Sequence, residues 1–280
     1  MGEPPPTSAG EALDRRGVVA RLSAAGVPSP EADARWLLEA FADDPAALVV
    51  AVRRRESREP LQLILGTAAF RYLELRVEPG VFIPRPETEV LVDLALDRLP
   101  AHGVVLEPCT GTGAIACAIA SEGAPSRVVA TDADAAAVDL ARRNAAPWPV
   151  VEVHHANLLA GVDPALLGAV DVLVCNPPYL DPAQLAAAEP EVRDHDPVAA
   201  LVGGETGWEV IADLVAAAPH WLRPGGWVLI EDDPSRVDQT VQALDHHVGP
   251  AHVEADLTGR PRFAVARHVE RGPDAGRMAR

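Results

Sequence analysis

The stretch GVVLEPCTGTGAIACAIAS, residues 103–121, decides the fold. Gly103–Glu107 is an apolar run of strand length. Pro108–Cys109–Thr110–Gly111–Thr112–Gly113 is a tight, glycine-rich turn, and Gly111–Ser121 continues as an Ala/Ile-rich helix. A strand, a glycine turn and a helix in direct succession open a doubly wound α/β unit, in which the turn lets backbone approach a ligand. The alternation continues downstream. Strands are expected at Arg127–Thr131, Val150–Val153, Val170–Cys175, Trp227–Ile230 and near 251–256 and 262–267, with helices at Asp134–Ala145, Glu209–Ala218 and Val237–Leu244. Together these imply a seven-stranded, mostly parallel sheet covered on both faces.

Upstream, the pattern is helical. Ala12, Leu13, Val19, Leu22 and Ala25 recur at helical spacing before Gly26 and Pro28, and Ser29 suits the N-cap of a second helix through Trp36, Leu37, Leu38 and Phe41. Asp43–Asp44–Pro45 turns into a third, and Pro4–Pro5–Pro6 reads as a tail. Residues 70–90 hold strand-like pieces around Gly80 with prolines 79, 84 and 86, and read as a hairpin linker outside the core. The expected organisation is a helical domain over 1–70, a hairpin linker over 71–98 and an α/β domain over 99–280.

The 280 residues carry 41 acids against 24 basic residues, all of them arginine, for a net charge of −17. Residues 1–75 hold 11 acids and 9 arginines, leaving 30 and 15 for the rest. That balance argues against a general nucleic-acid binder, whose affinity comes from neutralising phosphates. Cys109, Cys117 and Cys175 form no CxxC pair. The N-terminus lacks an apolar signal core, and no apolar run approaches the ~18–20 residues of a membrane span. A soluble, cytoplasmic protein is expected.

Ligands of such sheets bind beyond the carboxyl ends of the strands. Nineteen residues past Gly113 the second strand ends in Asp132, an acid placed to accept both hydroxyls of a ribose. The glycine turn lacks the GxGxxG spacing of a dinucleotide site and is a weak signal alone. With Asp132 at the next strand end a nucleoside-bearing cofactor is expected, the alternative being that Gly111 and Gly113 only permit close strand–helix packing. Asn176–Pro177–Pro178–Tyr179 directly follows the strand 171–175. Methylating a planar amide or aryl amine is difficult because the nitrogen lone pair is delocalised. The Asn176 side-chain oxygen and the Pro177 carbonyl can accept the two N–H protons and raise electron density on that nitrogen. The prolines stiffen the backbone so that the acceptors are pre-positioned, and Tyr179 can pack against the planar group. The gain is mostly positioning, worth roughly 7–11 kcal/mol in well-oriented reactions.

With these residues in place, the chain resembles the protein-glutamine methyltransferases that act on peptide chain release factors (the HemK/PrmC family). The resemblance runs through Glu59–Gly66, the string FIPRPETE at 82–89, Asn176–Tyr179, Pro190–Arg193, Asp196–Pro197, Ala200–Leu201, Gly203–Gly204, Leu222–Gly226 and Asp256–Arg260. NPPY is shared with DNA and RNA amino-methyltransferases, whereas FIPRPETE is far more specific. The resemblance implies a Rossmann-like class I methyltransferase sheet and a helical N-terminal domain that helps engage a protein substrate. It also implies S-adenosylmethionine as cofactor and methylation of a glutamine amide in a Gly-Gly-Gln tripeptide. Thr110, Gly111, Thr112 and Gly113 would line the methionine part of the cofactor, with Cys109 opening the turn. Asp132 would hold the ribose, and Asn157–Leu158 would lie near the adenine. Asn176, beside the cofactor, would hold the target amide with Pro177, Pro178 and Tyr179. A monomer without nucleic-acid partners is expected.

Three departures from the family pattern stand out: Glu107–Pro108–Cys109 for Asp-Leu-Gly, Asn157 for Asp, and Glu231–Asp232–Asp233 for Glu-Ile-Gly. They suggest a diverged paralogue and leave open an amino-methyltransferase of DNA or RNA, a methylase of another protein glutamine such as one in a ribosomal protein, or a scaffold without cofactor. His154–His155 suggest a metal at first sight, but neighbours on a strand point to opposite faces, so none is expected. Arg53–Arg54–Arg55 with Arg58 read as a solvated helix end. Trp208, Trp221 and Trp227 read as core, and Trp148 as a loop residue on the cofactor side.

Overall fold

The computed structural model describes residues 13–270. Ala12 and Pro4–Pro6 lie outside them. The chain divides into two compact units, one ending at Gly66 and one beginning at Thr67.

The first unit packs α1 (Arg15–Ala24), α2 (Pro30–Ala40), α3 (Pro45–Glu56) and the single turn α4 (Leu61–Leu65) around Val18, Leu22, Leu37, Val52 and Ile64. Local signals set the boundaries. Asp14 Oδ1 accepts from Gly17 N at 2.7 Å, and Asp44 Oδ1 accepts from Ala46 and Ala47 N, so each carboxylate satisfies donors at a helix start. Pro30 and Pro45 occupy first-turn positions, where the missing N–H costs nothing. The arginine run is structural in part: Arg55 donates to Asp33 at 2.7 Å in the buried interior, and Arg54 grips Glu59 at 2.6 Å.

The second unit begins with the antiparallel hairpin β1 (Thr67–Phe70) and β2 (Leu73–Arg76), a 3-10 turn at Pro86–Thr88 and α5 (Glu89–Leu96). Contrary to the reading of 70–90 as lying outside the core, Phe70 and Leu75 are buried in the main core, and Asn144 clamps the hairpin through Arg76 N and Arg76 O at 3.0 Å each. A four-residue strand is too short for its alternation to reveal which face is covered.

The main sheet follows as β3 (Val104–Pro108), α6 (Ala114–Glu122), β4 (Arg127–Asp132), α7 (Ala135–Ala145), β5 (Val151–His155) and β6 (Val170–Cys175). Three short helices, α8 (Pro182–Ala187), α9 (Pro190–Arg193) and α10 (Val198–Leu201), lead to α11 (Glu209–Trp221), β7 (Leu222–Glu231), α12 (Val237–His247), β8 (Ala251–Ala255) and β9 (Pro261–Arg267). The strand order is β5-β4-β3-β6-β7-β9-β8, parallel except for β9, which runs antiparallel to both neighbours. All six residues of β6 are buried, as expected of a central strand covered on both faces. Val105, Val172 and Leu229 enter one core layer, and Leu106, Leu173 and Ile230 the other.

The strand order reverses between β3 and β6, which opens a crevice at their carboxyl ends. Two local readings change. Trp148 packs against the core layer of α6 instead of facing the cofactor side. β7 starts at Leu222, five residues before the expected Trp227, because Val170 pairs with Leu222 and Val172 with Trp227. The intervening Arg223–Gly226 is a large bulge, and Gly226 lies so close to β6 that a Cβ there would stand 2.8 Å from Val170 O.

Candidate active site

A cavity of about 810 Å³ occupies the crevice at the carboxyl ends of β3, β4 and β6. Cys109, Thr110, Gly111, Thr112, Asp132, Asn157, Leu158 and all four residues Asn176–Tyr179 line it. Gly113 does not. Its φ is +80°, and a Cβ would meet Ala141 Cβ at 3.2 Å, so this glycine lets α6 start against α7.

The turn after β3 is held from β4. Thr110 N donates to Thr131 O at 3.0 Å, and Gly111 N to Asp132 Oδ2 at 2.8 Å; Asp132 Oδ1 accepts from Asp134 N at 2.9 Å. Burial pushes the Asp132 carboxyl up, while these amide donors pull it back. Cys109, at a position where the family pattern has glycine, sits at φ +59°. Cys175 Sγ donates to Pro108 O at 3.1 Å, so it is a buried pin and not a nucleophile.

Glu107, named in the sequence only as a stand-in for Asp, is 1% exposed, lines the cavity and carries an Oε2 atom with no hydrogen-bond partner. Burial pushes its carboxyl well above the usual range. A buried acid with an unpaired oxygen beside a cavity is suited to a ligand cation.

The NPPY strap is tied to two segments distant in sequence. Asn176 Nδ2 donates to Thr88 Oγ1 at 3.1 Å, and Thr88 Oγ1 donates to Glu231 Oε2 at 2.8 Å. Tyr179 OH reaches the other oxygen, Glu231 Oε1, at 3.4 Å. Arg262 faces the same carboxylate at 3.8 Å and lies over the Tyr179 ring at 5.8 Å. Burial raises the Glu231 carboxyl, opposed by Arg262 and Thr88. On the outer side, Leu180 N donates to Leu201 O at 2.8 Å and Gly203 N to Leu180 O at 3.0 Å; a Cβ on Gly203 would strike Pro178 O.

FIPRPETE forms a wall of the cavity. Phe82, Arg85, Glu87 and Thr88 line it, Arg85 stacks over Phe82 at 5.0 Å, and Arg85 pairs with the buried Asp196, joining this wall to the segment before α10. The Asp232–Asp233 departure is outside the cavity lining: Asp232 accepts from Thr240 Oγ1 at 2.8 Å and Asp233 Oδ1 from Ser235 N at 2.9 Å, which anchors the start of α12. His155 lines the cavity with Nε2 2.8 Å from Ala133 O, whereas His154 turns to Glu152 at 3.6 Å. Trp208 and Trp221 pack against one core layer and Trp227 against the other.

A seven-stranded sheet of this order, with a glycine turn after β3, an acid at the end of β4 and Asn-Pro-Pro-Tyr after β6, defines a Rossmann-like methyltransferase. Residues 73–190 match the family model described as methyltransferase small domain. The chain is 45% identical over 271 residues to the release factor glutamine methyltransferase of Mycolicibacterium smegmatis, covering 90% of this chain and 95% of that protein. The corresponding Streptomyces coelicolor protein is 42% identical over 266 residues, with 88% and 94% covered. The chain belongs to the release factor glutamine methyltransferase family. A methyltransferase structure from Pyrococcus furiosus shares the fold, with a TM-score of 0.53 at 21% identity over 71% of this chain and 90% of that one.

Proposed function

We propose that this protein transfers a methyl group from S-adenosylmethionine to the side-chain amide nitrogen of the glutamine in the Gly-Gly-Gln motif of a peptide chain release factor. The observation that carries the reading is the Asn176–Tyr179 strap lining the same cavity as the glycine turn and Asp132.

The residues present fit the cofactor. Asp132 has both oxygens engaged by backbone amides, yet each keeps a lone pair for a ribose hydroxyl. The unpaired Glu107 Oε2 suits the ammonium of the methionine part. Asn157 and Leu158 line the same cavity, which supports reading them as the adenine contact, and Asn157 can accept one hydrogen bond from its amine. When bound, S-adenosylmethionine supplies an electrophilic methyl group on a sulfonium.

The protein's own contribution is positioning. Asn176 Oδ1 and the Pro177 carbonyl accept the two amide protons of the glutamine, hold its nitrogen toward the methyl group and increase its electron density. Tyr179 packs on the planar amide. No side chain has to act as a base, because a nitrogen that has become cationic can release its proton to water. The helical unit ending at Gly66 contributes to engaging the protein substrate. The enzyme acts as a cytoplasmic monomer without binding nucleic acid, consistent with net −17. No helix among the described residues is long and apolar enough to cross a membrane.

Extract from cells lacking the gene, given the purified protein and methyl-labelled S-adenosylmethionine, tests the reading. Label in one protein band, mapped to a glutamine, supports it. Label only in nucleic acid, or none above background, overturns it.

A further inference from the structure

The Asn176 side chain is a planar amide whose oxygen and nitrogen faces differ by a half-turn. Only one orientation presents an acceptor to the glutamine, and the opposite one would set donor against donor. Something must therefore fix the amide. Thr88 and Glu231 lie 143 positions apart in the chain and meet beside it.

The order of donors follows from chemistry. An ionised carboxylate only accepts, so the single proton of the Thr88 hydroxyl is drawn to Glu231 Oε2 at 2.8 Å. The Thr88 oxygen is then left as an acceptor toward Asn176 and takes a proton from Nδ2 at 3.1 Å. With Nδ2 so engaged, Oδ1 is the atom left for the reacting amide. The second carboxylate oxygen holds Tyr179 OH at 3.4 Å. One carboxylate thus orients both ends of the Asn-Pro-Pro-Tyr strap, and Arg262 supplies the countercharge that favours its ionised form.

We propose that Thr88 and Glu231 are positioning residues, a relay that fixes the Asn176 amide with its oxygen toward the reacting nitrogen and sets Tyr179 beside it. The proposal rests on the glutamine-methylation reading for its consequence in catalysis, but the relay itself is readable without turnover.

The test compares wild-type protein with Thr88→Val, which keeps the shape and removes the hydroxyl, and Thr88→Ser, which keeps the hydroxyl. Three quantities are read: calorimetric affinity for S-adenosylmethionine, kcat and KM on a release factor, and solvent exchange of the Asn176 side-chain amide protons by nitrogen-15 NMR. Thr88→Val is expected to bind cofactor as wild type does, to speed Asn176 exchange, and to lower kcat by about tenfold to a hundredfold, the scale of a misplaced catalytic group. KM should change far less. Thr88→Ser should recover most of the rate and the slow exchange. Wild-type exchange and kcat in a cofactor-binding Thr88→Val protein would overturn the relay. A wild-type protein that methylates no glutamine would overturn the functional reading instead, and the exchange comparison would still decide the relay. Were Thr88→Val to fail to fold, Thr88→Ala read by the same three quantities serves in its place.

Discussion

Gly111 N donates to Asp132 Oδ2 at 2.8 Å, so the acid at the end of β4 is part of the glycine turn that follows β3. The group proposed to hold the ribose and the loop proposed to face the methionine part of the cofactor are therefore one mechanical unit. A change at Asp132 acts on both.

Asp132→Ala should weaken S-adenosylmethionine by roughly 1.5–3 kcal/mol, the scale of hydrogen bonds to a charged group. Asp132→Asn should also weaken it, because its amide nitrogen would face an N–H of Gly111 or Asp134 or replace an acceptor for the ribose. Calorimetry checks both. Wild-type affinity in either variant would show that the ribose lies elsewhere.

Glu107 should release protons when cofactor binds. Burial raises its carboxyl in the free protein, and an ammonium beside Oε2 draws it down again. Apparent affinity should then rise with pH through the interval between the two values, and binding heat should depend on the buffer's ionisation enthalpy. Buffer-independent heat would contradict this.

The same group acts on folding with the opposite sense. A raised native value means that its stability contribution is complete below the unfolded carboxylate range and is lost as pH rises through the native value. Glu107→Gln should therefore raise the cofactor-free melting temperature near neutral pH, with the advantage vanishing in acid below about pH 4. Cofactor affinity should fall in the same variant.

Asn176→Ala should abolish turnover while leaving cofactor affinity largely intact, since the side chain's proposed work is on the substrate amide. Retained methylation would remove the amide-clamp mechanism.

Two glycines with nearly equal φ separate strain from packing. At Gly113, φ +80°, an added Cβ would stand 3.2 Å from Ala141 Cβ, whereas at Gly161, φ +82°, it would meet nothing within 4 Å. Gly161→Ala should cost about 1 kcal/mol from backbone strain alone. Gly113→Ala should cost roughly 1–3 kcal/mol more from overpacking. Denaturant midpoints with unchanged slopes would measure the difference, and equal losses would contradict it.

Most of the fold was legible because its signals are local. The glycine turn after Glu107, the acid at Asp132 and Asn-Pro-Pro-Tyr after a wholly buried strand each occupy a few consecutive residues. The strand was expected only from Trp227, since nothing local in Pro224–Gly225–Gly226 favours a strand and Gly225 has φ +80°; only the pairing of Val170 with Leu222 carries β7 back across it as a bulge. The relay beside Asn176 was not legible. Thr88 lay within a string recognised for its distinctiveness, and Glu231 within one recognised as a departure; the topology that brings their side chains together is a property of the folded sheet. The rule that ligands gather at strand carboxyl ends, applied to the end of β7, was the signal that could have found Glu231.

The most direct test uses a purified, unmethylated release factor, methyl-labelled S-adenosylmethionine and this protein, followed by mass spectrometry of the peptide containing Gly-Gly-Gln. A single methyl group on the glutamine side-chain nitrogen, absent with Asn176→Ala, is the expected result. An unmodified glutamine under conditions where the cofactor binds, or a methyl group on another residue, would contradict it.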